Sequence, residues 1–454
     1  MSGTLFGERE LRDVAQRALK AAQGDQAEAL VVARTGSLTR YANAAIHQNV
    51  TSREADVTIR VVVGKRRASA TTNRLDKDGL RRAAEAASEI ARRAPEDPTF
   101  GGLPEPRPIS EAPSAYVERT AEATPLDRAR AVKVLCDAAL AQKLVCAGFV
   151  ATNVQEVAIA STTGTWAYAP QTHAEVQIAA IGGDGSAFAH RVSPDFQTLG
   201  VEGAAREAVA KAVRAQRPRD MAPGTYEVVL EPYCVRDMVG FLSGHFTGLA
   251  VEEGRSFVGG KLGQQVTGPI TLVDDPFDPQ GMPRAFDFEG QPSERITLLE
   301  RGIARGIVYD SQTAHRAGVP STGHALPANP FVPAAPMHAR LEPGDASHEQ
   351  LVAGVKNGLL VTRFHYTRWV HQLRTIVTGM TRDGTFAIEN GEIAYPIKNL
   401  RFTQSYHEAW AGTQAIGRDL RLLVSAEQFG LTASSQRVPA LRLAAFTFTG
   451  ATRY

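Results

Sequence analysis

The sequence predicts an α+β protein built from two parts of different character. In the first part, segments with helical spacing of apolar residues flank segments in which apolar residues alternate. In the second part, alternating segments and Gly- and Pro-bearing turns predominate. We therefore expect an N-terminal α/β domain with antiparallel hairpins and flanking helices. We expect the C-terminal domain to be a mostly antiparallel β-sheet or open barrel with an inserted helix.

The first part opens with a helix followed by a hairpin. Apolar residues recur at helical spacing from Glu8 to Ala22, and a short apolar run follows. Strict alternation between Val57 and Val63 predicts a half-buried strand, and the turn after it leads to a second strand. Asp76 is placed to cap the helix that ends before Pro95.

A Pro-rich connector, residues 95–113, then interrupts the pattern with six prolines. Beyond it the order helix, strands, helix returns, which suggests an internal duplication. A second break at residues 217–224 marks a domain boundary. A chain of 454 residues exceeds what one core usually fills, so we assign residues 1–221 to one domain and 222–454 to the other.

Helical patterns in the second domain are limited to Tyr233 through about Leu249 and to residues 347–357. The first of these is the inserted helix. The remaining segments alternate as strands do, including RFHYTRWVH, GTFAIENGEIAYPIKNLRFTQS and RDLRLLVS.

Composition excludes several classes of function. The 50 basic and 48 acidic residues nearly cancel, so no broad basic field would hold nucleic acid. Three cysteines without a CxxC spacing argue against a disulfide framework and a thiolate zinc cluster, and they fit a cytoplasmic location. No segment approaches the roughly 18 to 20 apolar residues that span a bilayer, and the N-terminus lacks the apolar region of an export signal.

No known metal motif has the required spacing. The pairs His348-Glu349 and His407-Glu408 have no second histidine at the distance that HExxH or HExxxH requires. His365 and His371 would lie about 20 Å apart along a strand, so they cannot share an ion.

Other candidate motifs favour structural interpretations. The acidic DDPFDPQG segment lacks the closing Glu of a calcium loop, and GGDGS lies between two strands, as a hairpin turn does. Ser243 has no Gly two residues before it, as a nucleophile elbow requires, and is interpreted as part of a helix turn.

Several segments together resemble the TldD/PmbA family, also called modulators of DNA gyrase or peptidase family U62. They are SLTRYANAAIHQN, TIRVVVGKRRASATTNRLD, FLSGHFTGLAVEEGRSFVGGKLGQQV, STGHALP, EPGD, NGLLVTRF and FAIENGEIAYPIKNLRFTQS. They span most of the chain in the family's order. The resemblance implies a metallopeptidase-related fold, and we assign substrate or interface roles to His324, Arg363 and His365 within these segments.

The sequence departs from the family where active TldD-type members carry HExxxH and, further on, a cysteine ligand. Gly244 and Leu249 stand at the two histidine positions, His245 stands at the glutamate position, and no cysteine follows Cys234. Zinc needs such nitrogen and sulfur ligands, so we expect neither metal nor another cofactor. The resemblance therefore implies the PmbA, or TldE-like, branch.

Three functions remain open. The chain would be the non-catalytic subunit of a cytosolic metallopeptidase that degrades flexible peptides, paired with a TldD-type subunit and shaping the cavity. Alternatively, it is an independent hydrolase that uses His245 with Glu252 and Glu253. The third hypothesis is a homodimeric peptide-binding protein. Neither nucleic acid nor a membrane is expected as a partner.

Overall fold

A computed structural model describes residues 5–327, 332–424 and 435–451. The helices are α1 Glu8–Ala21, α2 Lys77–Arg93, α3 Glu118–Ala121, α4 Pro125–Ala141, α5 Val201–Arg214, α6 Pro232–Ser243, α7 Gly248–Glu252, α8 Ser311–Ala317, α9 His348–Ala353 and α10 Tyr406–Ala411. The first sheet contains β1 Gln26–Ala42, β2 Ala45–Val63, β3 Arg66–Thr72, β4 Val145–Ser161, β5 Trp166–Gly182 and β6 Gly185–Ser193.

The remaining strands form two further sheets. The second sheet contains β8 Leu272–Asp274, β9 Ile296–Glu300, β10 Ile303–Ala304, β11 His338–Leu341, β17 Arg421–Val424 and β18 Ser435–Val438. The third contains β7 Gly224–Leu230, β12 Asn357–His371, β13 Ile376–Glu389, β14 Glu392–Ile397, β15 Leu400–Ser405, β16 Thr413–Ile416 and β19 Leu441–Ala451. The predicted α+β class is confirmed.

The first sheet is antiparallel, in the order β3-β2-β1-β4-β5-β6. Helices α1 and α2 pack against β1 and β2, and α4 and α5 pack against the strands on the other half. The element order α-β-β-β-α thus occurs twice, with β1 and β4 paired at the centre. The sheet buries its helix-covered face through alternating residues such as Val57, Ile59 and Val61.

The third sheet closes on itself. β12 pairs in parallel with β7, while β7–β19, β19–β15, β15–β13 and β13–β12 are antiparallel. This ring is the C-terminal barrel that the sequence predicts in open form. Helix α6 packs against β7 and β12 of the ring and against β17 and β18 of the second sheet. Its buried apolar residues Met238, Val239 and Leu242 belong to the largest core of the molecule.

Helix ends follow the predicted capping chemistry. The Asp76 carboxylate accepts a hydrogen bond from the Gly79 N–H at the start of α2, as predicted. The start of α4 forms a capping box, in which Thr124 accepts from the Asp127 N–H and the Asp127 carboxylate accepts from the Thr124 N–H.

Removing this second cap gives a test of local stability. We expect Thr124→Ala to lower the free energy of unfolding by about 1 kcal/mol, because an N–H at the helix start loses its partner. Urea denaturation, monitored by circular dichroism, measures this change in the free energy of unfolding. Asp137→Ala, which removes an exposed ion pair with Lys133 on the same helix, is the control and should cost no more than about 0.5 kcal/mol. Equal losses for the two variants would contradict the role of the cap.

Candidate functional site

The candidate site lies at the turn between α6 and α7. A single helix from Tyr233 to about Leu249 was predicted, and this is wrong: α6 ends at Ser243 and α7 begins at Gly248. Thr247 adopts an extended conformation, and its hydroxyl accepts from the Ala250 N–H to start the new helix. The intervening backbone pairs with another segment, since Gly248 donates to the Val308 carbonyl. These long-range bonds replace those of a continuous helix.

His245 is held inside this turn and is only 1% exposed. Its carbonyl accepts a hydrogen bond from the Ser256 hydroxyl at 2.6 Å, and its Nδ1 accepts one from the Phe257 N–H at 3.3 Å. Its Nε2 is buried and has no hydrogen-bond partner among the residues that the structure describes. Burial lowers the pKa of His245 to about 4, so the ring is neutral near pH 7. A neutral imidazole that accepts at Nδ1 carries its proton on Nε2.

Aromatic rings surround His245. Its ring centroid lies 5.0 Å from that of Phe257 and 5.6 Å from that of Trp369. Trp369 also packs edge-on against Phe241, at 4.8 Å between centroids. His407 stacks on Phe257, with 4.9 Å between their ring centroids. The Nδ1 of His407 lies 2.8 Å from the Thr375 hydroxyl, within hydrogen-bond distance. The position is therefore an apolar, ring-lined site.

The acidic residues proposed to act with His245 have other partners. Arg316 forms a two-pronged pair with Glu252 at 2.8 and 2.9 Å, and Arg255 donates to Glu253 at 2.6 Å. Neither carboxylate bonds to His245 within the described chain. The structure does not bring the three predicted catalytic candidates together.

The residues that the sequence resemblance places at the metal-ligand positions do not fit zinc. Gly244 has no side chain and Leu249 has only a hydrocarbon side chain, while the one lone pair of His245 faces the Phe257 N–H. Cys234 is fully buried, its thiol faces the Val361 carbonyl, and burial raises its thiol pKa well above the usual value. Across the described residues, no group of three or more His, Cys, Asp or Glu side chains is arranged to hold a metal ion.

His324 is buried in a polar cluster away from this turn. Its Nε2 lies 2.9 Å from a carboxylate oxygen of Asp274, and its Nδ1 lies 2.8 Å from the Thr322 carbonyl. The other oxygen of Asp274 accepts the His338 N–H at 2.7 Å. His324 thus joins the STGH segment to the second sheet. Its assignment to substrate or interface contact stays a prediction.

Arg363 and His365 lie on β12, where the first part of the chain meets the ring. Arg363 donates to Asp383 at 2.6 Å, and its guanidinium lies 4.2 Å from the ring centroid of Phe188 on β6. His365 is half-exposed, and burial together with the nearby Arg382 and Arg363 lowers its pKa. These positions are compatible with the predicted interface role, which stays a prediction.

A charged cluster that the sequence did not predict lies between the two parts of the chain. Glu207 of α5 accepts hydrogen bonds from Arg191 at 2.5 Å, from both terminal nitrogens of Arg421 at 3.1 Å, and from Lys211 at 3.1 Å. Lys211 also bonds to Glu231 at 2.5 Å. The cluster lines a cleft of about 500 Å³. The only signal in the sequence was the spacing of Glu207 and Lys211 on one helical face.

Family models match nearly the whole chain. A PmbA/TldA metallopeptidase C-terminal domain matches residues 223–450, the first domain matches residues 27–91, and the central domain matches residues 104–216. The chain belongs to the PmbA/TldD metallopeptidase family. The predicted membership is confirmed.

Similar proteins include PmbA/TldD members from bacteria and archaea. The metalloprotease PmbA of Escherichia coli O157:H7 is 26% identical over 90% of this chain and 92% of its own length. A metalloprotease of Methanothermobacter thermautotrophicus is 26% identical, over 61% of this chain and 64% of its own length. TldE from Thermococcus kodakarensis has a similar fold, with a TM-score of 0.86 and 20% identity, over 97% of this chain and 100% of that one. No helix in the described part of this PmbA/TldD protein is long and apolar enough to cross a membrane.

Proposed function

We propose that this chain is a metal-free subunit of a TldD/TldE-type peptidase, in which it shapes the cavity and positions a flexible peptide while a TldD-type partner supplies the metal. The residues at the turn after α6 carry this proposal. Two zinc-ligand positions are filled by Gly244 and Leu249, and the position of the general base is filled by the buried, neutral His245. We expect the pair to act in the cytoplasm.

The environment of His245 supports a non-catalytic role. A general base must reach the proton that it abstracts and must have a pKa near the working pH. His245 is enclosed by rings, and its pKa is lowered to about 4, so it is a poor base near pH 7 in this conformation. The independent-hydrolase alternative loses support because Glu252 and Glu253 are paired with arginines instead.

A mixing experiment tests the proposal. The chain and a TldD-type protein from the same source are purified separately, and hydrolysis of a flexible peptide is measured for each alone and for the mixture. We expect cleavage with the mixture, and none with this chain alone at any zinc concentration. As a matched control, the TldD-type protein with its HExxxH glutamate changed to glutamine should abolish the mixture's activity. Cleavage by this chain alone, or no gain on mixing, would contradict the proposal.

The homodimeric alternative is decided by the same samples. Light scattering on each sample and on the mixture gives the mass of the assembly. A mixed species that contains both chains supports the subunit role. A stable homodimer that binds peptide and ignores the TldD-type protein would favour the binding-module hypothesis.

A further inference from the structure

Two buried polar atoms, at the end of α6 and in the turn after it, have no hydrogen-bond partner within the described part of the chain. They are the Nε2 of His245 and the hydroxyl of Ser243, two residues earlier in the chain. A buried polar group without a hydrogen bond costs about 1–3 kcal/mol, so native proteins rarely keep one without reason. Two such groups within three residues, at the position that the resemblance assigns to the family's reaction centre, point to a ligand that supplies their partners.

The hydrogen bonding of His245 fixes the kind of ligand. Nδ1 accepts the Phe257 N–H, so the neutral ring offers an N–H at Nε2. The Ser243 hydroxyl can likewise donate. The missing partner is therefore an acceptor. A carboxylate would enter this ring-lined site at a high desolvation cost, whereas the cost for a neutral amide carbonyl is much smaller and is offset by the hydrogen bond that it accepts.

Trp369 covers His245 from the β12–β13 hairpin. The hairpin pairing is irregular on both sides of Trp369, between His365 and Arg368 and between Trp369 and His371. Tyr366 has a φ of 57°, a left-handed conformation that a bulky residue rarely adopts. The backbone pairing of β12 with β13 is therefore interrupted on both sides of Trp369.

The same end of the hairpin exposes an unusual amount of apolar surface. Tyr366 is 71% exposed, and Trp369, Val370 and Leu373 are also exposed. Exposed apolar groups that lie together mark sites of contact with other molecules. This surface includes Trp369 and offers a contact for an apolar side chain of a peptide.

We propose that the Nε2–H of His245 donates a hydrogen bond to a main-chain carbonyl of an uncharged peptide segment, which reaches it when Trp369 moves aside. The inference rests on the proposed function for the class of ligand, a peptide. It adds His245 as a positioning residue and Trp369 as the cover that the peptide displaces. No bond is made or broken in this step, and the proton remains on Nε2.

Peptide binding by the isolated full chain tests the inference without any catalysis. The probe is an acetylated and amidated octapeptide of Ala and Gly with one central 4-fluorophenylalanine, titrated by fluorine NMR at pH 7.5. We expect His245→Leu to weaken binding about tenfold, since one hydrogen bond to a buried donor is lost. His47→Leu, at an exposed histidine on β2, is the matched control and should bind as the wild type does.

Two further variants keep the test decisive if His245→Leu fails to fold. The amide nitrogen of Gln reaches further toward the place of Nε2 than that of the shorter Asn. The affinity of His245→Gln for the octapeptide should therefore be within about threefold of the wild-type affinity, whereas that of His245→Asn should be lower. Equal binding by Gln and Asn variants would overturn the inference. So would a wild-type chain that does not bind the octapeptide.

Chemical modification tests the cover separately. Diethyl pyrocarbonate modifies accessible imidazoles, and mass spectrometry of the digested chain reports each histidine. We expect Trp369→Ala to increase the modification of His245 several-fold, while saturating octapeptide should protect His245 in that variant. Unchanged modification of His245 in Trp369→Ala would overturn the covering role. If the chain binds the octapeptide through His245 but does not increase peptide hydrolysis when mixed with the TldD-type protein, the subunit role is refuted. The inference about His245 is then still supported.

Discussion

Glu207→Gln is expected to lower the free energy of unfolding by about 3–5 kcal/mol, the largest effect of any single change considered for this chain. Although burial raises its pKa, the charges of Lys211, Arg421 and Arg191 hold the pKa of Glu207 well below its usual range. The carboxylate is therefore ionised and is the shared counter-ion of three cations. Glutamine keeps the shape but leaves those three charges with too little compensation.

The charged cluster around Glu207 connects the two parts of the chain, so its loss should affect the stability of both. Arg191 and Lys211 belong to β6 and α5 of the first part of the chain, whereas Arg421 belongs to β17 of the second. Tyr233 at the start of α6 also donates to Glu207, at 3.3 Å. Loss of the carboxylate should therefore loosen the contact between the two parts of the chain.

Urea denaturation at pH 7.5 measures the change, with Glu202→Gln as the control. Glu202 lies in the first turn of the same helix and is exposed, so its replacement should cost less than about 1 kcal/mol. A loss at Glu207 no larger than that at Glu202 would show that the cluster contributes little to stability.

His338→Gln is expected to reduce the loss of folding stability that occurs when the pH is lowered toward 4. Burial lowers the pKa of His338 to about 4, an effect that the nearby Asp274 opposes and the nearby Arg284 and His324 reinforce. The unfolded chain binds a proton at this residue below about pH 6.5, whereas the folded chain does so only near pH 4. The stability that neutral His338 contributes is therefore complete above pH 6.5 and is lost as the pH falls toward 4.

The size of the effect follows from the two pKa values. A difference between 6.5 and about 4 corresponds to about 3 kcal/mol. The wild-type free energy of unfolding minus that of His338→Gln should thus fall by about 3 kcal/mol between pH 7.5 and pH 4. Burial and the charge of Glu289 raise the pKa of Asp287 to about 7, so this carboxyl group makes the folded chain more stable as the pH falls. Because Asp287 is present in both proteins, its contribution cancels when the wild type is compared with His338→Gln.

Urea denaturation at both pH values, for the wild type and for His338→Gln, gives this difference. His47→Gln, which removes an exposed imidazole, controls for the loss of a histidine as such. A difference between the wild type and His338→Gln that does not change with pH would contradict the lowered pKa of His338.

Much of the fold was predictable because its signals are local. Alternation along β2, the cap at Asp76 and the glycine turn between β5 and β6 each depend on residues a few positions apart. The end of α6 could not be predicted in this way. It depends on the pairing of Gly248 with Val308, sixty positions away in the chain, and helical spacing continues through the break.

The same distinction holds for the candidate site. The proposed loss of metal ligands at Gly244 and Leu249 could be inferred from the sequence because the family motif has a fixed spacing. The contact of His324 with Asp274 could not be inferred in this way, because Asp274 lies on β8, fifty residues earlier in the chain. Likewise, only the fold brings Trp369 over His245 or collects three cations around Glu207.

We propose that this member of the PmbA/TldD family carries no zinc of its own. The most direct test is the metal content, by mass spectrometry, of the chain and of its TldD-type partner after each is loaded with excess zinc and desalted. We predict stoichiometric zinc on the partner and only a trace on this chain, because its motif positions offer no set of ligands. One zinc ion per copy of this chain that remains bound after desalting would contradict the proposal that the chain is metal-free.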